Sequence, residues 1–146
     1  MWHPSLILSA LLLFTVGCAR QPSPDDVQAA RERAFQESLS RATLVGHFTV
    51  GEKPGASEDR YRIEGVTKLT RTTWLFRAQI GKGSAITLPI PVTVEWAGDT
   101  PVITVTDLSI PGMGIFTARV LFYRGQYAGT WSGKNAGGPM FGRIVK

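Results

Sequence analysis

The stretch Ile86-Thr87-Leu88-Pro89-Ile90-Pro91-Val92-Thr93-Val94-Glu95-Trp96 shows the clearest alternation in the chain. Its large apolar side chains occupy every second position and therefore share one face, which is the period of a β-strand with one buried side. Pro89 and Pro91 each remove a backbone donor from the same edge of that strand, which is tolerable only at a sheet edge or at an opening in a barrel. This stretch predicts a β-strand of a mainly β domain that lies beside such an edge or opening.

Seven further segments around this strand have the same period and are bounded by turn residues. They span residues 44–51, 60–69 (with a bulge at Gly65), 74–80, 102–110, 115–124, 126–132 and 139–145. The connections are short, so consecutive strands are expected to pair antiparallel as a meander. A meander of eight strands can close into an up-and-down barrel, which hides its sheet edges. We therefore expect a mainly β fold with an eight-stranded antiparallel barrel, and a β-sandwich is the alternative.

A helix is predicted before the first strand. Ser23 is a good N-cap, and Pro24 suits the first helical position because its missing N–H would be unpaired there anyway. We assign residues 24–42 to this helix, which is expected to end at about Leu39 or Ala42, and residues 43–146 to the β-barrel domain. Its thin apolar stripe includes Phe35, which favours packing against the domain over service as a spacer.

Residues 1–17 are typical of a signal peptide. Their apolar run, residues 6–16, has the length of a signal-peptide core and is too short to span a bilayer, which takes about 20 residues. The stretch Thr15-Val16-Gly17-Cys18 resembles the lipobox of bacterial lipoproteins. That resemblance implies acylation of the Cys18 thiol and cleavage before it. Residues 18–23 are then a lipid-anchored tether.

The lipobox resemblance also implies a location. It predicts an exported protein that the lipid on Cys18 holds in the membrane of the cell envelope, the outer membrane if the cell has one. A secreted or periplasmic soluble protein is the alternative. Cys18 is the sole cysteine, so a disulfide within the chain is excluded. The net charge is +5, but the basic residues are scattered without a run of three, so we expect no nucleic-acid partner.

The predicted barrel resembles the calycin group, which includes lipocalins, fatty-acid-binding proteins and avidins. The resemblance rests on the strand count and on Gly129-Thr130-Trp131, which matches the G-x-W motif of lipocalins. That motif lies on the first strand of lipocalins and on the seventh strand here. No lipocalin ligand-binding residue is therefore carried over to this chain.

Aromatic side chains on the apolar faces are the candidate ligand-binding residues. In a hollow barrel they line a cavity that holds few polar groups. The candidates are Trp74, Phe76, Trp96, Phe116, Tyr127 and Trp131. The same side chains can fill the barrel, because small eight-stranded barrels often have solid interiors, and we expect a filled or nearly filled core. Gly129 shares a face with Tyr127 and Trp131 and is expected to leave room for an aromatic ring.

Catalytic chemistry has little support in the sequence. After export His47 is the sole histidine, and it is predicted to face outward. Glu95 and Asp107 lie on neighbouring predicted strands, and we interpret them as solvent-exposed charges and not as the carboxylate pair of a glycosidase. No zinc or calcium motif is present, and we expect no catalytic residues, no metal and no cofactor. The predicted function is a structural or protein-interaction role in the envelope with another envelope protein as partner, and the alternative is a binding module for a small apolar or amphipathic ligand.

Overall fold

The structure is a computed structural model that describes residues 20–146. One helix precedes eight strands. In chain order the elements are α1 (Pro24–Leu39), β1 (Ala42–Phe48), β2 (Ser57–Lys68), β3 (Thr73–Ile80), β4 (Leu88–Ala97), β5 (Thr100–Ile110), β6 (Gly114–Tyr123), β7 (Gln126–Ser132) and β8 (Gly137–Val145).

The strands form a closed antiparallel barrel. Each strand pairs with the next along the chain, and β8 pairs with β1 to close the circle. The predicted mainly β fold, with one helix before an eight-stranded antiparallel barrel, is therefore confirmed, and the architecture is consistent with a calycin-like fold. The β-sandwich alternative is wrong because no sheet edge separates β8 from β1. The predicted signal peptide, residues 1–17, and the predicted lipidation site, Cys18, lie outside the described residues.

Helix α1 begins where the sequence predicted and ends at the earlier of the two predicted positions. Ser23 and Asp26 form a reciprocal capping box, in which each side chain accepts a hydrogen bond from the other residue's backbone N–H at 3.1 Å. The hydrogen bonds from Ser23 hold the pKa of Asp26 below its ordinary value. The helix ends at Leu39 because the next residue, Ser40, has an extended backbone, and Arg41, with a φ of 58°, then turns the chain into β1.

Helix α1 lies across one end of the barrel, which we call the closed end. Phe35 is 4 % exposed, and Leu39 is fully buried. The Phe35 ring contacts four aromatic rings at centroid separations of 5.5 to 6.3 Å, and most of these contacts are edge-to-face. The four rings belong to Trp74, Phe76, Trp96 and Phe122. The predicted packing of the helix against the domain is therefore confirmed.

Polar contacts also hold α1 in place. Glu32 forms an ion pair with Lys68 at the end of β2. The ammonium of Lys146, which follows β8, donates a hydrogen bond to the carbonyl oxygen of Ser40 at 2.7 Å. Helix α1 is thus held against the barrel by the buried side chains of Phe35 and Leu39 and by polar contacts at the edge of the helix.

Four loops surround the opposite end of the barrel, which we call the mouth. They comprise residues 49–56, 81–87, 111–113 and 133–136. The alternation of the strands continues toward these loops and is interrupted by bulges between Ile63 and Gly65 of β2 and between Val105 and Leu108 of β5. Ile86 was predicted to belong to β4 and to face inward, but β4 begins at Leu88 and Ile86 is 68 % exposed in the loop before it.

Strand β4 borders an opening in the wall, as its prolines predicted. It pairs with β3 through both Pro89 and Pro91. Its pairing with β5 covers only residues 93–97 of β4 and residues 100–104 of β5. The halves of β4 and β5 that approach the mouth are therefore unpaired with each other, and we call this gap in the pairing the seam. Pro89 and Pro91 have no backbone N–H, and on the side of the seam no partner strand is present to accept a hydrogen bond from one.

Removal of the Phe35 ring tests the packing of α1. Phe35→Ala should lower the free energy of unfolding by about 3–5 kcal/mol, because it empties the centre of the aromatic cluster. Phe141→Ala is the matched control, since this ring is 51 % exposed on the outer face of β8, and we expect a loss below about 1 kcal/mol. Urea unfolding followed by tryptophan fluorescence measures both variants. Equal losses in the two variants would contradict the packing described for α1.

Candidate functional site

A cavity of about 500 Å³ extends from the mouth into the barrel. Inward-facing side chains from all eight strands line it, and most of them are apolar. Lys82 and Met113 stand at the mouth, and Phe76 and Phe122 lie at the inner end, beneath the aromatic cluster of the closed end. The volume is within the range of small-molecule sites. The expectation of a filled or nearly filled core is therefore wrong for the part of the barrel above this cluster.

The six aromatic candidates divide between the cavity and the closed end. Four of them line the cavity, namely Phe76, Phe116, Tyr127 and Trp131. Trp74 and Trp96 do not, because they pack against Phe35 at centroid separations of 5.5 and 6.0 Å. Both tryptophans face inward as the alternation indicated, but they stand at the ends of β3 and β4 that α1 covers.

Tyr127 lies along the cavity wall in a row of residues that oppose one another across neighbouring strands. The row consists of Phe122, Tyr127, Gly142, Gly46 and Asp59. A Cβ atom on Gly142 would stand 2.6 Å from Cε1 of Tyr127, and a Cβ atom on Gly46 would overlap the Tyr127 hydroxyl. The ring therefore passes over β8, and its hydroxyl reaches β1. The two glycines permit this position because they have no side chain to occupy the wall.

The Tyr127 hydroxyl is a buried polar group on the cavity wall. The residue is 2 % exposed, and its hydroxyl has no hydrogen-bond partner among residues 20–146. An unpaired buried hydroxyl costs about 1–3 kcal/mol. Burial, and secondly the negative charge of Asp59, raises the pKa of Tyr127 to about 12. The phenol is therefore neutral near pH 7 and has both a donor and acceptor lone pairs to offer to a bound molecule.

Asp59 and Tyr61 add two polar groups to the same part of the wall. They face the cavity from β2, and Asp59 stands directly opposite Gly46, where the Tyr127 hydroxyl ends. Burial raises the pKa of Tyr61, and Asp59 raises it further through a hydrogen bond and through its charge. In the described part of the chain, the Asp59 carboxylate forms no ion pair.

Sequence reasoning missed Asp59 and Tyr61 although a signal was present. Both alternate with Arg60 and Arg62 in step with the buried Ile63, which places them on the inward face. The predicted strand began at residue 60 and so excluded Asp59. Polar residues at the mouth end of an inward face are easily assigned to the preceding loop.

The mouth carries one ion pair beside the cavity. The Lys82 ammonium lies 3.4 Å from a Glu58 carboxylate oxygen, and both side chains line the opening. Both are largely exposed to solvent, so the pair adds little to stability. Its importance is that it neutralises the lysine nearest to the cavity.

The remaining sequence candidates do not assemble into a second site. His47 is exposed on the outer face, with its ring 6.0 Å from that of Phe141. Glu95 is exposed on the outer face of β4, and Asp107 lies in a bulge of β5 with a φ of 51°. Within residues 20–146 no three His, Cys, Asp or Glu side chains are grouped closely enough to hold a metal ion.

Gly129 has a different role from the one its position suggested. A Cβ atom there would overlap the carbonyl oxygen of Arg119 on β6. The glycine therefore allows a close approach of the β6 and β7 backbones and leaves no space for a ring. The glycines that seat an aromatic ring are Gly46 and Gly142.

Comparisons with models of protein families, with curated proteins and with solved structures found no match for this chain. Among residues 20–146, no helix has the length and apolar character needed to cross a membrane. The chemistry of the cavity is therefore the basis for a functional proposal.

Substitution of Gly46 tests the position of Tyr127. Gly46→Ala should lower the free energy of unfolding by about 1–3 kcal/mol, because the new methyl group overlaps the Tyr127 hydroxyl and the Phe141 carbonyl oxygen. Gly65→Ala is the control, since a Cβ atom there meets nothing within 4 Å, and we expect no loss or a gain of up to about 1 kcal/mol. Urea unfolding compares the two variants. If Gly46→Ala proves as harmless as Gly65→Ala, Tyr127 does not lie against β1.

Proposed function

We propose that this chain is an exported envelope protein whose barrel binds a small apolar or amphipathic molecule. The observation that carries this proposal is the cavity of about 500 Å³, whose apolar wall holds the buried, unpaired hydroxyl of Tyr127. A bound molecule with one polar group would complete the hydrogen bonding of this hydroxyl and cover the apolar wall. Both effects favour the complex.

Stability considerations place ligand binding ahead of a purely structural or protein-interaction role. Protein interiors are normally close-packed, and empty space inside them lowers stability. A barrel that served only to present its outer surface would be more stable with a filled interior. Five aromatic rings fill the closed end of this barrel. The same kind of side chain could fill the rest of the interior, so the open cavity favours a binding role.

The seam and the mouth offer an apolar route into the cavity. Ile90 of β4 and Val105 and Leu108 of β5 line the cavity on the two sides of the seam. Met113 is 45 % exposed at the mouth and also lines the cavity. Because backbone hydrogen bonds do not join β4 to β5 here, the wall can widen without breaking ladder bonds. These features support access by an apolar molecule.

Blocking the cavity tests the proposal. The ligand-free protein should bind the uncharged dye N-phenyl-1-naphthylamine, with increased and blue-shifted dye emission. Ala118→Phe should weaken this binding at least tenfold, because Ala118 lines the cavity and the new ring would fill part of it. Ala128→Phe is the matched control on the exposed face of β7, and it should change the dissociation constant less than twofold.

Dye titration by fluorescence gives the dissociation constants, and circular dichroism verifies that both variants are folded. Absence of dye binding to the parent protein would refute the proposed function. Equal binding by Ala118→Phe and Ala128→Phe would show that the dye sits outside the barrel.

The lipid anchor belongs to the same proposal. The lipobox-like stretch ending at Cys18 supports acylation and retention in the envelope membrane. Helix α1 follows the tether and lies across the closed end. Because α1 covers the end opposite the mouth, an anchor that precedes α1 is compatible with a mouth that is free to exchange ligand.

Substitution of Cys18 tests this part of the proposal. In Cys18→Ser the N-terminal peptide should lose its acyl mass and the protein should move from the membrane fraction to the soluble fraction, because serine cannot form the thioether. Ala19→Ser is the control, and its fractionation and acyl mass should match those of the parent. Mass spectrometry of the N-terminal peptide and fractionation of expressing cells supply both readouts. An unmodified Cys18 in the mature parent protein would refute the anchor and leave the binding proposal untouched.

A further inference from the structure

We infer that the cavity selects a cationic amphiphile, with a protonated amine head beside Asp59 and an apolar body directed toward the closed end. This inference rests on the proposed ligand-binding function and adds to it the charge and the orientation of the ligand.

The charge of the cavity lining is opposite in sign to that of the whole chain. The chain carries +5, whereas the charged residues of the lining are Glu58, Asp59 and Lys82, two carboxylates and one ammonium. Glu58 and Lys82 neutralise each other at 3.4 Å. The lining therefore keeps one negative charge, that of Asp59, whose carboxylate accepts a hydrogen bond from the Arg60 backbone N–H at 2.7 Å and forms no ion pair among residues 20–146. A cation supplied by the ligand would provide a counter-charge.

The position of Asp59 determines the orientation of the ligand. Asp59 lies two residues from Ser57, where β2 leaves the mouth. Deeper in the cavity the walls are apolar as far as Phe76 and Phe122. A molecule with its charged head at Asp59 thus keeps that head near the mouth and places its body against the apolar wall.

The neighbouring phenols suit an ammonium head. The Tyr127 hydroxyl reaches Gly46, which is the residue directly opposite Asp59. A protonated primary amine has three N–H donors, and the Asp59 carboxylate and the Tyr127 hydroxyl oxygen can accept two of them. Tyr61 and Tyr127 also line the cavity in this region, and aromatic rings can attract cations.

Other head groups fit this arrangement less well. A carboxylate head would place a second negative charge beside Asp59, and like charges that share a site repel each other. An alcohol could bond to Tyr127 but would leave the charge of Asp59 uncompensated. The expected order of affinity at constant chain length is therefore amine, then alcohol, then carboxylate.

Competition among matched amphiphiles tests this inference. Dodecylamine, dodecanol and dodecanoate are each used, below the concentration at which they form micelles, to displace N-phenyl-1-naphthylamine from the folded protein at pH 7. Dodecylamine should displace the dye at a concentration at least tenfold lower than dodecanoate requires, with dodecanol between them. Asp59→Asn should reduce this preference at least fivefold, because it removes the charge and keeps the shape. Glu95→Gln removes one negative charge from the outer face of β4 and should leave the preference within twofold of the parent value.

The outcomes separate this inference from the function on which it rests. If dodecanol or dodecanoate displaces the dye as well as dodecylamine does, the inferred cation selectivity is wrong while ligand binding stands. A preference for dodecylamine that persists in Asp59→Asn, or that falls equally in Glu95→Gln, overturns the role of Asp59. If the dye binds but none of the three displaces it, the inferred ligand class is wrong. If neither the dye nor any of the three binds, the proposed function itself fails.

Discussion

The insertion of Phe35 into a cluster of four aromatic rings is the interaction on which the rest of this structure depends. It fixes α1 across one end of a closed barrel and fills that end with tightly packed rings. A barrel sealed at one end and bordered by loops at the other has an interior that is reached from one side. The apolar packing that stabilises the helix therefore also gives the cavity its floor, and stability and the candidate function are linked through the same residues.

A second constraint, the pairing of Gly142 with Gly46, shapes the cavity wall. Two facing glycines on β8 and β1 let the Tyr127 ring lie against the wall, with its hydroxyl close to Asp59 across the row. Larger residues at either position would push the ring away from the wall and into the space of the cavity. The absence of side chains at Gly46 and Gly142 therefore has two effects. It keeps the space of the cavity open, and it brings the Tyr127 hydroxyl close to the Asp59 carboxylate.

Local sequence patterns were sufficient to predict the fold, but they were insufficient to predict whether the interior of the barrel is filled. Alternation along residues 86–96 and the two prolines predicted a strand beside a sheet edge or an opening, and the structure has such a strand from Leu88 onward beside an opening. Alternation predicts which face of the sheet a side chain occupies, but it does not predict the position of that side chain between the closed end and the mouth. Trp74 and Phe76 therefore have the same predicted orientation, toward the interior of the barrel. Trp74 nevertheless packs under α1, whereas Phe76 lines the cavity. Whether the interior is filled depends on strand tilt and stagger, which involve residues far apart in the chain.

The barrel is proposed to hold an apolar or amphipathic molecule in its cavity. Native mass spectrometry of the protein, purified in detergent from the envelope of cells that produce it, tests this claim most directly. We predict a species heavier than the processed chain, whose additional mass is lost on denaturation and is absent from Ala118→Phe prepared in the same way. A parent protein that carries no such mass, and that also gains none when the purified sample is incubated with an extract of the cell's lipids, would contradict the account.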